Sequence, residues 1–254
     1  MKSNQDIAAI LDEAAKNAIA TPQISLTQDI SLEDAYDIQA KSIARRYERG
    51  EQLVGLKLGF TSKAKMEQMG VHDMIWGRLT NTMHFENAAD IPKSKFIHPR
   101  AEPEIAFLIK EDITSPLTLE NAADYIEGIA PALEIIDSRY ENFKFSLEDV
   151  IADNCSSTGF VVGNWQEPDI NINDIIMELC VDDAVVHAGL SNAILGNPWE
   201  SVVAAARLSL QYNEPLKKGM ILLAGAATPA VFIQVGQRIE ARVEGFEMLS
   251  FNVV

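Results

Sequence analysis

The segment His98-Pro99-Arg100-Ala101-Glu102-Pro103-Glu104-Ile105-Ala106-Phe107-Leu108-Ile109 joins two carboxylates to an apolar run. On an extended strand alternate side chains share a face, so Glu102, Glu104 and Ala106 point one way and Ile105, Phe107 and Ile109 the other. Carboxylates two residues apart stand roughly 6.5–7 Å apart along a strand. Both can converge on one cation, and hard divalent ions such as Mg2+ and Mn2+ prefer oxygen ligands of this kind. A solvated acidic edge is the competing account in a chain this rich in acids. The apolar run behind the pair favours a partner, because charges on a well-packed strand need one.

A third glutamate stands alone in Ala130-Pro131-Ala132-Leu133-Glu134-Ile135-Ile136-Asp137-Ser138-Arg139. An unpaired charge inside an apolar strand costs several kcal/mol or forces protonation. A metal removes that penalty, and so does pairing with an arginine such as Arg139 or Arg100. In Gly55-Leu56-Lys57-Leu58-Gly59-Phe60-Thr61-Ser62, Lys57 points away from the apolar side of its strand, with a glycine on either side along its own face. It suits a cavity beside a ligand, and equally an ordinary edge lysine beside bulges. Two polar clusters adjoin apolar strands: 152–159, with Asn154 and Ser156, and 224–229, with Thr228. Both fit hydrogen bonding to a substrate carboxylate, and both fit plain turns.

These residues need strands to hold them. Ile7, Ile10, Leu11, Ala14 and Ala18 recur at helical spacing, and a second helix starts near Ser31, with Asp34 closing a capping box and Gly50 as its stop. Its stripe is Leu32, Tyr36, Ala40, Ile43 and Tyr47. After Gly50 the period becomes two, followed by a short helix over 62–69 that ends at Gly70. Strands are then expected over 102–109, 131–136, 158–163, 175–181, 184–187, 219–224, 231–235, 238–244 and 247–253, with turns at Asp182-Asp183 and Glu244-Gly245. Helices interrupt them over 119–126 and from Asn197-Pro198-Trp199-Glu200, where Asn197 caps, Pro198 takes the first helical position and Glu200 closes the box. Helices first and a mostly antiparallel β body afterwards argue an α+β fold. The expected division is an N-terminal helical part with the first strand over 1–75 and a β body over 76–254.

Hydrophobic residues make up 47% of the 254, enough for one large core or two small ones. Twenty-one Lys and Arg face 37 Asp and Glu, a formal charge of -16 that repels nucleic acid and anionic membranes. An anionic substrate would then need a bound cation and placed basic side chains. Cys155 and Cys180 form no zinc spacing and read as buried thiols of a reducing compartment rather than a disulfide. The N-terminal stretch lacks the apolar run of a signal peptide and no segment approaches the ~20 apolar residues of a membrane span, so a cytoplasmic location is expected. A Walker loop, a strand-linked GxGxxG and a GxSxG elbow are all missing.

GLKLGFTSKAKMEQMG, HPRAEPEIAF, APALEIIDSRY and ADNCSSTGF, in this order and spacing, resemble the hydratase/decarboxylase branch of the fumarylacetoacetate hydrolase superfamily, from the N-terminal helices to AGAATPA. The resemblance implies an N-terminal helical part followed by a mixed β-sandwich roll, Mg2+ or Mn2+ on Glu102, Glu104 and Glu134, and Lys57 as the catalytic lysine. It also implies a homo-oligomer and, for decarboxylase members, association with vinylpyruvate hydratase. Hydratases of the branch carry an aspartate in a Pro-Asp-x-Gly segment; here Ile75 takes that place, with Asp73 the nearest acid. IWGRLT and the proline of AEPEIAF look like the decarboxylase members. The expected reaction is decarboxylation of 2-oxo-3-hexenedioate, a small 2-oxo dicarboxylate, to 2-hydroxypenta-2,4-dienoate. Arg78, Ile75, Asn154, Ser156 and Thr228 are the candidate substrate contacts. The alternatives are hydration of 2-oxopent-4-enoate and a non-catalytic scaffold role.

Overall fold

Ser3 and Ser31 start the two N-terminal helices, α1 (Asn4–Asn17) and α2 (Leu32–Glu48), each with a complete capping box closed by Asp6 and Asp34. The molecule is seen in a computed structural model that describes residues 1–61 and 73–254. The short helix expected over 62–69 lies outside them. Helix α1 buries Ile7, Leu11 and Ala14 as its spacing predicts, with Ala8 added; Ile10 is only partly buried and Ala18 is the C-cap beyond the helix. Helix α2 is rotated from the expected stripe: Leu32 and Tyr47 are exposed, while Ile38 and Gln39 are buried.

Thirteen strands follow: β1 (Leu53–Gly59), β2 (Ile75–Thr80), β3 (His84–Phe85), β4 (Asp90–Ile91), β5 (Arg100–Ile109), β6 (Ile126–Ile136), β7 (Ser157–Val162), β8 (Ile176–Val181), β9 (Ala184–Leu190), β10 (Ile221–Ala226), β11 (Val231–Phe232), β12 (Arg238–Val243) and β13 (Leu249–Val253). Two further helices of the described residues, α3 (Leu147–Ala152) and α4 (Trp199–Gln211), sit among them. The larger sheet runs β2-β1-β10-β5-β6-β7-β3, with β11 added to β5; the smaller runs β4-β13-β12-β8-β9. Pairs β1·β10, β3·β7 and β4·β13 are parallel and the others antiparallel, so the body is mixed and the α+β expectation holds. The first strand is thus bonded into the larger sheet between β2 and β10.

Leu133, Ile135 and Val161 of the larger sheet meet Leu179, Ile239, Ala241, Leu249 and Phe251 of the smaller in one apolar layer. A second core lies under the helices and joins Ile7, Leu11 and Ile38 to Leu56, Leu58, Trp76, Phe107 and Val202. Asp182 and Asp183 both adopt positive φ, 50° and 66°, the two left-handed positions of a tight hairpin between β8 and β9.

Two expected elements need correction, and two others were missed. The helix over 119–126 is replaced by one 3-10 turn, Ala122–Tyr125, and β6 already begins at Ile126. The strand over 231–235 is only the pair Val231–Phe232. Strand β2 and helix α3 were not anticipated, although Ser146 and Asp149 form a capping box like the other two. At the start of α4, Asn197 Oδ1 accepts from the Trp199 N–H at 3.1 Å, but Pro198 takes the cap position, the helix begins at Trp199, and the box expected from Glu200 does not form.

Candidate metal centre

Register builds the site. Strands β5 and β6 pair so that Glu102 stands directly opposite Glu134, with Glu104 two residues further on the same face. One oxygen from each carboxylate lies within 4.8 Å of the other two. Glu104 and Glu134 are fully buried and Glu102 nearly so. Like charges placed directly opposite repel, so the arrangement calls for a compensating cation.

Lys57 supplies part of it. Its Nζ lies 2.9 Å from Glu134 Oε2 and donates to the Cys155 carbonyl at 3.4 Å. Strand β1 is separated from β6 by β10 and β5, three spacings of about 4.8 Å in a flat sheet. The lysine spans them because the sheet curls. Pairing of Glu134 with Arg139 or Arg100 is overturned: Arg139 binds Asp153, and Lys57 occupies the place at Glu134. Of the two flanking glycines, Gly59 borders the Lys57 ammonium as expected, its missing Cβ 3.9 Å from Nζ, while Gly55 does different work. A Cβ at Gly55 would fall 2.0 Å from the Ile221 carbonyl oxygen, so Gly55 admits strand β10, and a Cβ at Gly59 would fall 3.0 Å from Ile75 Cγ1.

Burial pushes the Glu104 carboxyl well above its ordinary range, reinforced by the charges of Glu134 and Glu102 and opposed by Lys57 and the Gly225 N–H. Burial raises Glu134 too, against the pull of Lys57. Burial would lower the Lys57 ammonium, but Glu134, Glu104 and Glu102 together hold it above its usual value. Among the described residues, Lys57 pairs with Glu134 and leaves the buried charge of Glu104 and Glu134 only partly balanced. Glu104 Oε1 and Glu134 Oε1 are buried without a hydrogen-bond partner among the described residues. These orphaned oxygens fit a hard divalent cation, whose charge would reverse the upward shifts.

The remaining Glu104 oxygen is fixed by a bulge. Pairing of β10 with β5 shifts between Leu223 and Ala226, and there the Gly225 N–H leaves the ladder to donate to Glu104 Oε2 at 2.7 Å. Gly225 has φ +101°, and an added Cβ would sit 2.2 Å from Thr61 Oγ1. Only glycine fits there.

Of the three carboxylates Glu102 reaches a cavity of about 590 Å³, which Lys57, Ile75, Arg100, Phe143, Cys155 and Ser156 also line; Glu104 and Glu134 lie behind it. Of the predicted substrate contacts, Ile75 and Ser156 line it. Asn154, Cys155 and Ser156 have φ of 50°, 53° and 58°, a run of three left-handed non-glycine residues. Such strain persists only where neighbours over-determine it. Asn154 clamps strand β2, accepting from the Arg78 N–H at 2.7 Å and donating to the Arg78 carbonyl at 2.9 Å. Arg139 braces the loop by binding Asp153 and donating to Thr158 Oγ1 at 2.6 Å. Ser156 Oγ remains buried without a partner among the described residues. Burial, opposed by Arg139, pushes Asp153 up to about 6, and burial pushes the Cys155 thiol up to about 12, which makes it a poor nucleophile.

The other candidates lie off the cavity lining. Arg78 binds Glu214, donates to Gln39 Oε1 at 2.5 Å and lies 4.6 Å from the Trp76 ring centroid. Trp76 itself packs against Tyr36 and Tyr212. Thr228 Oγ1 bonds the Pro229 carbonyl at 3.2 Å. Asp73 pairs with Arg207 at 2.7 Å, and both side chains are about half exposed. Sequence reasoning missed Arg100 and Phe143 as lining residues. The signal for Arg100 was present, since it precedes Glu102 by two residues and shares its face.

Residues 55–254 match the fumarylacetoacetate (FAA) hydrolase C-terminal family, and the chain belongs to it. Within that family it is 48% identical to a 4-oxalocrotonate decarboxylase of Pseudomonas sp, over 97% of this chain and 96% of that one. The solved 4-oxalocrotonate decarboxylase from Pseudomonas putida G7, complexed with magnesium and adipate, superposes with a TM-score of 0.95 at 32% identity, covering 99% of this chain and 97% of that one. A 2-keto-4-pentenoate hydratase of Paraburkholderia xenovorans (strain LB400) is 32% identical over 85% of this chain and 82% of its own.

Proposed function

We propose that the chain is a divalent-metal-dependent carboxy-lyase that converts 2-oxo-3-hexenedioate to 2-hydroxypenta-2,4-dienoate and CO2 in meta-cleavage breakdown of aromatic compounds. The observation that carries this reading is the buried Glu102–Glu104–Glu134 cluster with Lys57 against it, beside a cavity where Ile75 stands in place of the hydratase aspartate. The similarity to 4-oxalocrotonate decarboxylases supports it.

The substrate's distal carboxylate is a vinylogue of a β-keto acid. As its C–C bond breaks, the electron pair passes through the alkene to the 2-oxo oxygen, which takes up one proton and completes the dienol. The three glutamates would hold Mg2+ or Mn2+, which supplies Lewis-acid stabilisation of developing oxyanion charge. Lys57 donates a hydrogen bond, and then the proton, at the 2-oxo oxygen. Ile75 keeps water from the breaking bond. Ser156 Oγ, already stripped of solvent, hydrogen-bonds substrate. Asn154 holds the Ser156 loop against β2.

The enzyme acts in the cytoplasm, where free buried thiols such as Cys155 and Cys180 remain reduced. No helix of the described residues is long and apolar enough to cross a membrane. It assembles as a homo-oligomer and associates with vinylpyruvate hydratase. Exposed Val185, Val186 and Leu190 on edge strand β9 suit such contacts, and a lone monomer by light scattering would remove the assembly claim.

The test incubates metal-stripped and Mg2+-reloaded protein with the oxo-diacid while CO2 and dienol absorbance are followed. Metal-dependent CO2 release is expected, abolished or strongly reduced by Lys57→Ala. Hydration of 2-oxopent-4-enoate without CO2 release would identify a hydratase, and silence towards both a scaffold.

A further inference from the structure

Arg100 stands on the face of β5 that Glu102 and Glu104 share, nearer the cavity mouth: Glu104 is fully buried, Glu102 nearly so, and Arg100 only partly. Its guanidinium carbon lies 4.1 Å from the ring centroid of Phe143 and 4.1 Å from that of Phe232. The rings cover the guanidinium and leave its in-plane N–H donors for a carboxylate, which they match in bidentate geometry. Arg100 Nε is buried without a hydrogen-bond partner, and no acid is ion-paired to this arginine among the described residues. The rings arrive from separate parts of the chain. Phe232 faces Arg100 across the β11·β5 ladder, and Phe143 follows Asn142 in a strained pair with φ of 56° and 59°.

We infer that Arg100, held between Phe143 and Phe232, binds the substrate carboxylate remote from the 2-oxo end and so selects a six-carbon diacid over 2-oxo monoacids. This rests on the decarboxylase reading and supplies its specificity element. The lengths agree. One two-residue repeat along β5 separates Arg100 from Glu102, roughly 6.5–7 Å. Five C–C bonds of about 1.52 Å set the carboxyl carbons of an extended six-carbon diacid roughly 6 Å apart. With its 2-oxo acid end at the glutamates, the far carboxylate reaches the level of Arg100. That carboxylate is the one lost as CO2, so its ion pair belongs to the ground state and weakens as CO2 becomes neutral. Arg100 therefore contributes to capture and not to bond breaking.

The test uses Arg100→Gln and Arg100→Lys with two probes on the Mg2+-loaded protein: adipate, which spans both ends, and oxalate, which stays at the metal end. Arg100→Gln should weaken adipate binding by about tenfold or more, the loss expected of one charge-assisted contact. Oxalate and Mg2+ affinities should stay unchanged. In turnover KM should rise while kcat holds or increases, and Arg100→Lys should recover part of the binding. Phe232 is 55% exposed, so Phe232→Leu keeps the fold if Arg100→Gln does not, and it should weaken adipate binding to a smaller extent. Unchanged adipate affinity in the variants, or equal loss of oxalate, would overturn the inference. Failure of the unmodified protein to release CO2 would overturn the reading beneath it and leave the binding result standing.

Discussion

Glu104 is the ligand whose loss should cost the site most, because it is fully buried and its second oxygen is already fixed by the Gly225 N–H. Glu104→Gln keeps the shape and removes the charge. Outer-sphere partners of metals alone are worth about 10–100-fold in affinity, so Mg2+ affinity should fall by at least that factor; an unchanged titration isotherm would rule Glu104 out as a ligand. The same residue sets a pH dependence. Its folded carboxyl is raised by burial and by Glu134 and Glu102, so the metal-free folded state keeps a proton that the unfolded chain releases. Stability from this source is complete below the ordinary glutamate range and is lost as pH rises through the raised folded value. The metal has to displace that proton, so its affinity should climb with pH through the same window, with proton release measurable by calorimetry in buffers of different ionisation enthalpy. An affinity that is flat with pH would show that Glu104 is already ionised.

Among the elements, the bulge in β10 is the most exacting. Gly225→Ala sets a methyl against Thr61 at a backbone angle alanine resists, for about 2 kcal/mol or more. The melting temperature should fall and Mg2+ affinity with it, while Gly236→Ala, where φ is also positive but nothing lies within 4 Å, should lower stability alone. The acid pair on β5 was legible in the sequence because strand alternation is local: Glu102 and Glu104 follow from a period of two. The partner of Glu134 was not, since Lys57 reaches it only through the curl of a sheet whose strand order the chain does not announce. Arg78 was misjudged for the same reason, as Gln39 and Glu214 are far from it in sequence. Leu119, Ala122, Ala123 and Ile126 imitate a helical stripe, yet the segment is one turn long and β6 claims Ile126. Strand β2 escaped notice because Gly77 and Arg78 interrupt its apolar run; Gly77 is explained by Asn154 closing on that strand, and Arg78 by Gln39 and Glu214.

For the whole molecule, the carboxylate cluster couples folding to metal. At a free metal concentration about 100 times Kd, one site stabilises the fold by about 2.7 kcal/mol. A chain of this size gains roughly 2–4 °C per kcal/mol, so Mg2+ should raise the melting temperature of the stripped protein by about 5–10 °C. An equal rise in Glu104→Gln would assign the effect to nonspecific screening of the -16 charge. The placement of Glu102 opposite Glu134 has a less obvious consequence. Sheets usually fray from their margins inward, but here the mutual repulsion sits on the central hairpin. A chelator should therefore loosen the middle first: deuterium uptake should accelerate at 100–109 and 126–136 ahead of the outer strand β9. A slip of one residue in that hairpin would turn Glu134 away from Glu102, so the ion also acts as a proofreader of strand alignment, rewarding the one register in which all three acids meet.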